Sequence, residues 1–268
     1  MMDKCARKIS VVTVCYNAAE SIEATMLSVL NQTYPEVEYI VIDGGSTDGT
    51  VEIIKRYADR LACWVSERDR GTYDGMNKGI ARATGDFINF MNAGDTFSTP
   101  TVLEEFVPAI EEDTTVAFGD WNSVIEGKLL KRTPYSMSRM KLMTPFCHQA
   151  GFVKTDYHKA NPFDISFKIA ADYNMLYNAY NRDGRKFQYI PVTVANYENY
   201  NGLSSTNPKR LMEENFRIWG IADKPLKQLP YRLVVLKAKI FGMIKRHLPT
   251  GFVVKVKSKL DARRRHFE

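Results

Sequence analysis

The sequence contains no CxxC pair, no apolar run long enough to cross a bilayer, and no GxGxxG turn. Each absence removes a class of function. Its four cysteines, Cys5, Cys15, Cys63 and Cys147, are too scattered for a zinc site or a disulfide framework, so a reducing compartment is the simpler expectation. No stretch approaches the ~20 apolar residues of a spanning helix. Lys4, Arg7 and Lys8 precede "ISVVTVCY" as in a signal peptide, but that core is short and no small-residue cleavage site follows. It reads better as a first β-strand. Without a dinucleotide fingerprint after the first two apolar runs, a nicotinamide enzyme is disfavoured.

Acidic residues are nearly missing from one end. From Lys224 to Glu268 thirteen Lys/Arg stand against two acids, a local charge of +11. The whole chain carries +6, so the first 223 residues hold −5. The expected division is a domain over 1–223 and a basic amphipathic helical extension over 224–268. "YRLVVLKAKIFGMIKRHL" mixes aliphatic residues with cations, the pattern of a helix lying in a membrane interface. An anionic surface attracts such a segment by about 1 kcal/mol per cation. Nucleic acid is not an expected partner, because the tail lacks aromatic interleaving on a binding face.

The first hundred residues alternate strand and helix patterns. "ISVVTVC" (9–15) and "VEYIVID" (37–43) are continuous apolar runs of doubly buried strands. Ile22, Met26, Val29 and Leu30 share one helical face between them. Two more short strands, "CWVSE" (63–67) and "DFINFM" (86–91), flank a helix carrying Met76 and Ile80. The fold class is therefore α/β, a mostly parallel sheet with helices on both faces. Beyond residue 100 we expect helices near 101–111 and 170–181 and strands near 115–120, 128–133 and 187–195.

Four polar features end the four strands: Tyr16-Asn17, Asp43, the stretch from Glu67 to Lys78, and Asn92 to Asp95. In a parallel sheet these converge on one crevice. Asp43, Asp48, Asp69, Asp74 and Asp95 would repel one another there unless a cation is present. Hard oxygen donors suit Mg²⁺ or Mn²⁺, which bring phosphates as further ligands. The crevice reads as a metal–diphosphate site.

"VVTVCYNAAESIEATMLSVLNQTYPEVEYIVIDGGSTDGT" and "SERDRGTYDGMNKGIARATGDFINFMNAGD" resemble the bacterial family 2 glycosyltransferases of GT-A fold, strongly over 8–100 and more loosely over 145–200. The resemblance implies an inverting transferase using a nucleotide sugar, a UDP-sugar by family habit. It acts on a glycan or lipid-linked acceptor in cell-surface polysaccharide synthesis, at the inner face of the cytoplasmic membrane. Thr13, Tyr16 and Asn17 would line the nucleotide pocket, and Asp43 would accept from the base. Gly45 would let the nucleotide approach the backbone; Ser46 would be a turn residue first and a contact second. Asp69 and Asp74 would hold nucleotide and ribose, and Lys78 would face the diphosphate.

"FMNAGD" departs from the family's Asp-x-Asp motif: Asn92 replaces the first acid, leaving Asp95 as the charged metal ligand and Asn92 as a donor contact. Asp172, in "FDISFKIAADYNML", is the expected catalytic base, with Asp164 of the turn "NPFD" as its competitor. His148 of "PFCHQAGF" is a weaker candidate for acceptor or diphosphate contact, and "YNGLSS" (200–205) resembles a lid. Two other functions compete. A nucleotide-sugar-binding protein without transfer activity fits the reduced metal motif. A pyrophosphorylase would need a basic glycine-rich loop that "TVCYNAAES" lacks.

Overall fold

A computed structural model describes residues 6–125, 127–198 and 207–233. The expected lid at 200–205, and all of the basic extension beyond residue 233, lie outside the described residues. Two compact units divide the chain, Met1–Ile218 and Trp219–Glu268. In the second, the Trp219 and Tyr231 rings pack at 4.8 Å, and the Gln228 amide donates to the Ile221 and Ala222 carbonyls.

The first unit is built on a nine-stranded sheet. Its leading half follows the pattern of the sequence: β1 (Ile9–Cys15), α1 (Ile22–Leu30), β2 (Val37–Asp43), α2 (Thr50–Arg56), β3 (Cys63–Ser66), α3 (Thr72–Arg82) and β4 (Phe87–Phe90). All seven residues of β1 are buried, which is why that run carries no alternation. The four strands lie in the order β3-β2-β1-β4 and pair in parallel, with Cys15 opposite Asp43 and Asp43 opposite Ser66. Three carboxyl ends therefore stand level along one edge.

Helix α3 crosses β1 at close range because two of its residues are glycines. A Cβ on Gly79 would lie 2.4 Å from a Val12 methyl, and one on Gly75 would lie 2.7 Å from a Val14 methyl. The absence of side chains here brings the start of α3 onto the carboxyl edge of the sheet.

The second half is less regular. It comprises β5 (Thr96–Phe97), α4 (Val102–Phe106), β6 (Val116–Ile125), β7 (Lys128–Arg132), β8 (Gly151–Lys154), α5 (Thr155–Ala160), α6 (Ala171–Asn181), β9 (Phe187–Glu198) and α7 (Pro208–Ile218). The expected helix near 101–111 is only α4 followed by a 3-10 turn, broken where Pro108 has no N–H to donate. Strands β8, β7 and β5 enter antiparallel, while β6 and β9 pair in parallel. The sheet is mixed, with four parallel and four antiparallel pairings. The core on one face centres on Phe106 stacked against Phe152 at 4.6 Å, beside Val11, Met26 and Val194.

Candidate active site

At the level edge, Asp43 is fully buried at 0 % exposure. Its carboxylate accepts from the Ser46 and Ser66 hydroxyls at 2.5 and 2.7 Å and from the Gly45 and Ser46 amides at 3.1 and 2.9 Å. Burial pushes its pKa up, and these hydrogen bonds together outweigh burial and hold it below the ordinary value. Neighbouring polar groups are engaged in the same way. The Asn17 side-chain oxygen accepts from the Thr47 amide, with φ +46° at Asn17, and Asp48 accepts from the Ala19 and Thr50 amides. The loops after β1 and β2 thus tie each other together.

A cavity of about 780 Å³ opens beside this edge. One wall comes from Cys15 at the end of β1 and Tyr16 after it, and from Asp69, Gly71, Thr72 and Tyr73 at the entry to α3. The loop after β4, Asn92 to Asp95, forms its floor, and Phe146 to Gln149, Ile169, Asp172 and Tyr197 close the far side. Asp69 accepts from the Gly71 amide at 2.8 Å, and its other oxygen occupies the space a Cβ on Gly44 would need, 2.6 Å away.

Asp172 stands in the first turn of α6, where the helix N-terminus favours a negative charge. The Tyr73 hydroxyl donates to its carboxylate at 2.8 Å. The same hydroxyl lies 2.7 Å from the Ile169 carbonyl, so one proton serves two acceptors. Burial, then the Asp172 charge, raises the Tyr73 pKa well above its ordinary value. The segment entering α6 is held from behind. Glu214 of α7 accepts from the backbone amides of Lys168, Ile169 and Ala170 at 2.8, 2.9 and 2.9 Å.

The loop after β4 carries oxygens that could hold a cation. Asp95 is 6 % exposed, and the Gln149 amide donates to its carboxylate at 2.8 Å while the Cys147 thiol donates to Gln149. The Asn92 side-chain oxygen is buried without a hydrogen-bond partner among the described residues. One carboxylate and one orphaned amide oxygen fit a hard divalent ion that takes its remaining ligands from phosphate and water. No cluster of three His, Cys, Asp or Glu capable of holding a metal occurs among the described residues.

His148 lines the cavity with its ring stacked on Phe90 at 5.4 Å. Burial lowers its pKa, partly opposed by Asp172. His158, edge-on to Phe90, is buried with neither ring nitrogen hydrogen-bonded among the described residues, and its pKa is pushed down to about 4, by burial first and then by His148. It is a neutral core residue.

Of the residues singled out in the sequence, Tyr16, Asp69, Asn92, Asp95, His148 and Asp172 line this one cavity. Others stand back from the wall. Thr13 is buried between the Tyr39 hydroxyl and the Met91 carbonyl; Asn17, Asp43, Gly45 and Ser46 knit the turn. Asp74 is paired with Arg70, and Lys78 reaches Glu67 and the Arg68 carbonyl. Asp43, Asp48 and Asp74 each have local donors that offset part of the charge gathered at this edge. Tyr73, Tyr197 and Glu214 carried no sequence signal of their own, although Tyr73 adjoins Asp74 in the motif.

The sequence model of "Glycosyl transferase family 2" matches residues 10–172. An uncharacterized glycosyltransferase of Mycobacterium tuberculosis is 35% identical over 183 residues, 65% of this chain and 69% of that protein. Among solved structures, S. aureus TarS 1-349 in complex with UDP-GlcNAc superposes with a TM-score of 0.64 at 21% identity, over 79% of this chain and 64% of that one. The mannosyltransferase PcManGT from Pyrobaculum calidifontis, in complex with GDP-Man and Mn2+, gives 0.62 at 18% identity, over 82% and 65%. The chain thus spans just under two thirds of each of these two structures, and at such identities the likeness establishes the GT-A fold alone. With more than half of its length matched by the family model and its fold shared with these enzymes, the chain belongs to glycosyl transferase family 2.

Proposed function

We propose that this glycosyltransferase moves a sugar from a nucleotide-sugar donor, a UDP-sugar, to a hydroxyl of a glycan or lipid-linked acceptor, inverting the anomeric centre. The observation that carries the reading is one cavity holding a carboxylate at the α6 N-terminus, Asp172, together with Asn92 and Asp95. The UDP-GlcNAc bound by TarS supports a uridine donor, and the GDP-Man of PcManGT is the competing nucleotide. In this reading residues 1–223 form the transferase and 224–268 a basic extension that holds it against the inner face of the membrane.

The chemistry follows from the side chains. Asp172 takes the proton of the acceptor hydroxyl as its oxygen attacks the anomeric carbon; the glycosidic bond to the diphosphate breaks and the nucleoside diphosphate leaves with the electron pair. No protein nucleophile is needed. Tyr73 fixes the orientation of the carboxylate, and Asp69 and Tyr16 meet the nucleotide at the opposite wall. Asp95 and Asn92 would hold a divalent cation, Mg²⁺ or Mn²⁺, which when bound would offset negative charge on the departing diphosphate. His148 is a contact for acceptor or diphosphate.

The test is Asp172→Asn. Turnover, read as nucleoside diphosphate release in the presence of acceptor, falls by about 10²–10⁴, the usual worth of a general base, while donor affinity is retained. Near-normal turnover removes Asp172 from this role. A nucleotide-sugar-binding protein without transfer activity is the second reading, favoured by Asn92 in place of an acid. It predicts donor binding with no release by the wild-type chain under any acceptor.

A further inference from the structure

The segment between β6 and the cavity wall is exposed in an unusual way. On β7 all five residues are exposed, and Leu129 and Leu130 are 57 % and 44 % accessible. In the connection that follows, Tyr135, Leu142 and Met143 are 48 %, 50 % and 41 % accessible. Leu129 and Leu130 are consecutive on the strand and face opposite sides of it, so both faces of this edge ribbon carry an exposed leucine. The exposed apolar residues alternate with Lys128, Lys131, Arg132, Arg139 and Lys141, and residues 127–145 contain no acid. Lys131 reaches across to the buried Asp120 at 3.0 Å, and Arg139 lies over the Tyr135 ring at 4.6 Å.

The same segment is anchored to the active site. Met140 is fully buried beneath the exposed residues, and its carbonyl accepts from the Tyr173 hydroxyl of α6 at 3.0 Å, one residue after Asp172. The Tyr135 amide donates to the Pro145 carbonyl, and the chain then passes directly into the wall residues Phe146 to Gln149.

We propose that residues 128–143 form a docking surface for an anionic lipid bilayer, set beside the acceptor side of the cavity. Leucines and a methionine of the patch enter the headgroup region while its cations meet lipid phosphates, the combination that binds interfacial segments. The chain's own basic extension is a poor occupant: its charge of +11 is repelled by a patch of five cations. Docking here turns the mouth beside Asp172 toward the membrane, where a lipid-linked hydroxyl would arrive. The proposal draws on the transfer reading only for that purpose, and vesicle binding is measured without any reaction.

The experiment is co-sedimentation of the full-length chain with phosphatidylcholine vesicles with and without phosphatidylglycerol, at low and high salt. The wild type binds the anionic vesicles at low salt. Combining Lys128→Gln, Arg132→Gln and Lys141→Gln weakens this about a hundredfold, at about fivefold per cation. Lys131 is left in place because its loss would strand buried Asp120. A second variant, Leu129→Ser, Leu130→Ser, Leu142→Ser and Met143→Ser, weakens binding while the charges remain. Unchanged nucleotide-sugar binding by both variants keeps misfolding apart from loss of docking. In the wild type, vesicles also slow amide exchange at 128–132 and 137–143. No binding at low salt, wild-type binding by either variant, or unchanged exchange in these segments overturns the proposal. So does a dimer in the absence of lipid that dissociates in the Leu/Met variant, which would assign the patch to a second copy.

Discussion

A tyrosine hydroxyl with one proton and two acceptors is the detail on which the candidate base turns. Tyr73 bonds Asp172 and the Ile169 carbonyl, linking helix α3 to helix α6 and its entry. In Tyr73→Phe both acceptors lose a donor, a cost of about 1–3 kcal/mol at a buried site. We expect kcat to fall roughly tenfold or more on that scale while the KM for donor is unchanged. A packing role alone would move the KM for donor together with kcat. Glu214 gives a second prediction at this scale. Burial pushes its pKa up, and the amides of Lys168, Ile169 and Ala170 with Arg210 pull it below the ordinary 4.5. A lowered folded value means stability present above about pH 4.5 and lost as pH falls through the folded pKa. Denaturant unfolding should show Glu214→Gln less stable by about 2 kcal/mol at neutral pH, with a flatter dependence below pH 4.5. An unchanged slope in that acid window would dissociate Glu214 from the entry to α6.

At the scale of elements, the packing of α3 on β1 sets how near the loop entering α3 approaches the sheet edge. Gly79 lies where a Cβ would meet Val12 at 2.4 Å. Alanine there gains about 1 kcal/mol of helix propensity but overpacks the contact, at about 1–3 kcal/mol. The contact is against a short, buried β-branched side chain that cannot swing away, so overpacking wins. Thermal unfolding of Gly79→Ala should therefore occur about 2–4 °C lower for each kcal/mol of net loss. A higher Tm would mean that α3 can retreat from β1 at no cost. The periodicity of α1 and the buried runs of β1 and β2 were legible in the sequence because local pattern and burial agree there. Strands β5 and β8 were not, since two and four residues are too few to carry a period and their pairing partners lie far along the chain.

At the scale of the whole molecule, the site is assembled from segments as distant as Tyr16 and Tyr197, so a ligand that fills it ties the fold together. Binding to the folded state alone stabilises by about 2.7 kcal/mol at a hundred times Kd. For a unit of this size that is a rise of about 5–10 °C in Tm. Differential scanning fluorimetry with UDP, GDP, dTDP and CDP, each with and without Mn²⁺, should give such a rise for one nucleotide, larger with metal. No shift with any of them would remove the nucleotide-sugar reading in its simple form.

Local sequence determined the strand–helix alternation, the family, the four polar features at strand ends and the acid at the start of α6. These are properties of contiguous residues, and contiguous residues carry them openly. Only the tertiary structure decided which of the polar residues face the cavity. Asp43 and Asp69 read alike as acids near a strand end, yet Asp43 is enclosed by Ser46, Ser66 and two amides while Asp69 lies on the wall. The difference arises because β3 stands level with β2 and brings Ser66 to the one carboxylate, whereas Gly44 and Gly75 leave space for the other. Tyr73 and Glu214 likewise gained their partners only when α3 and α7 met the entry to α6, across separations of 99 and 44 to 46 residues that no local pattern encodes.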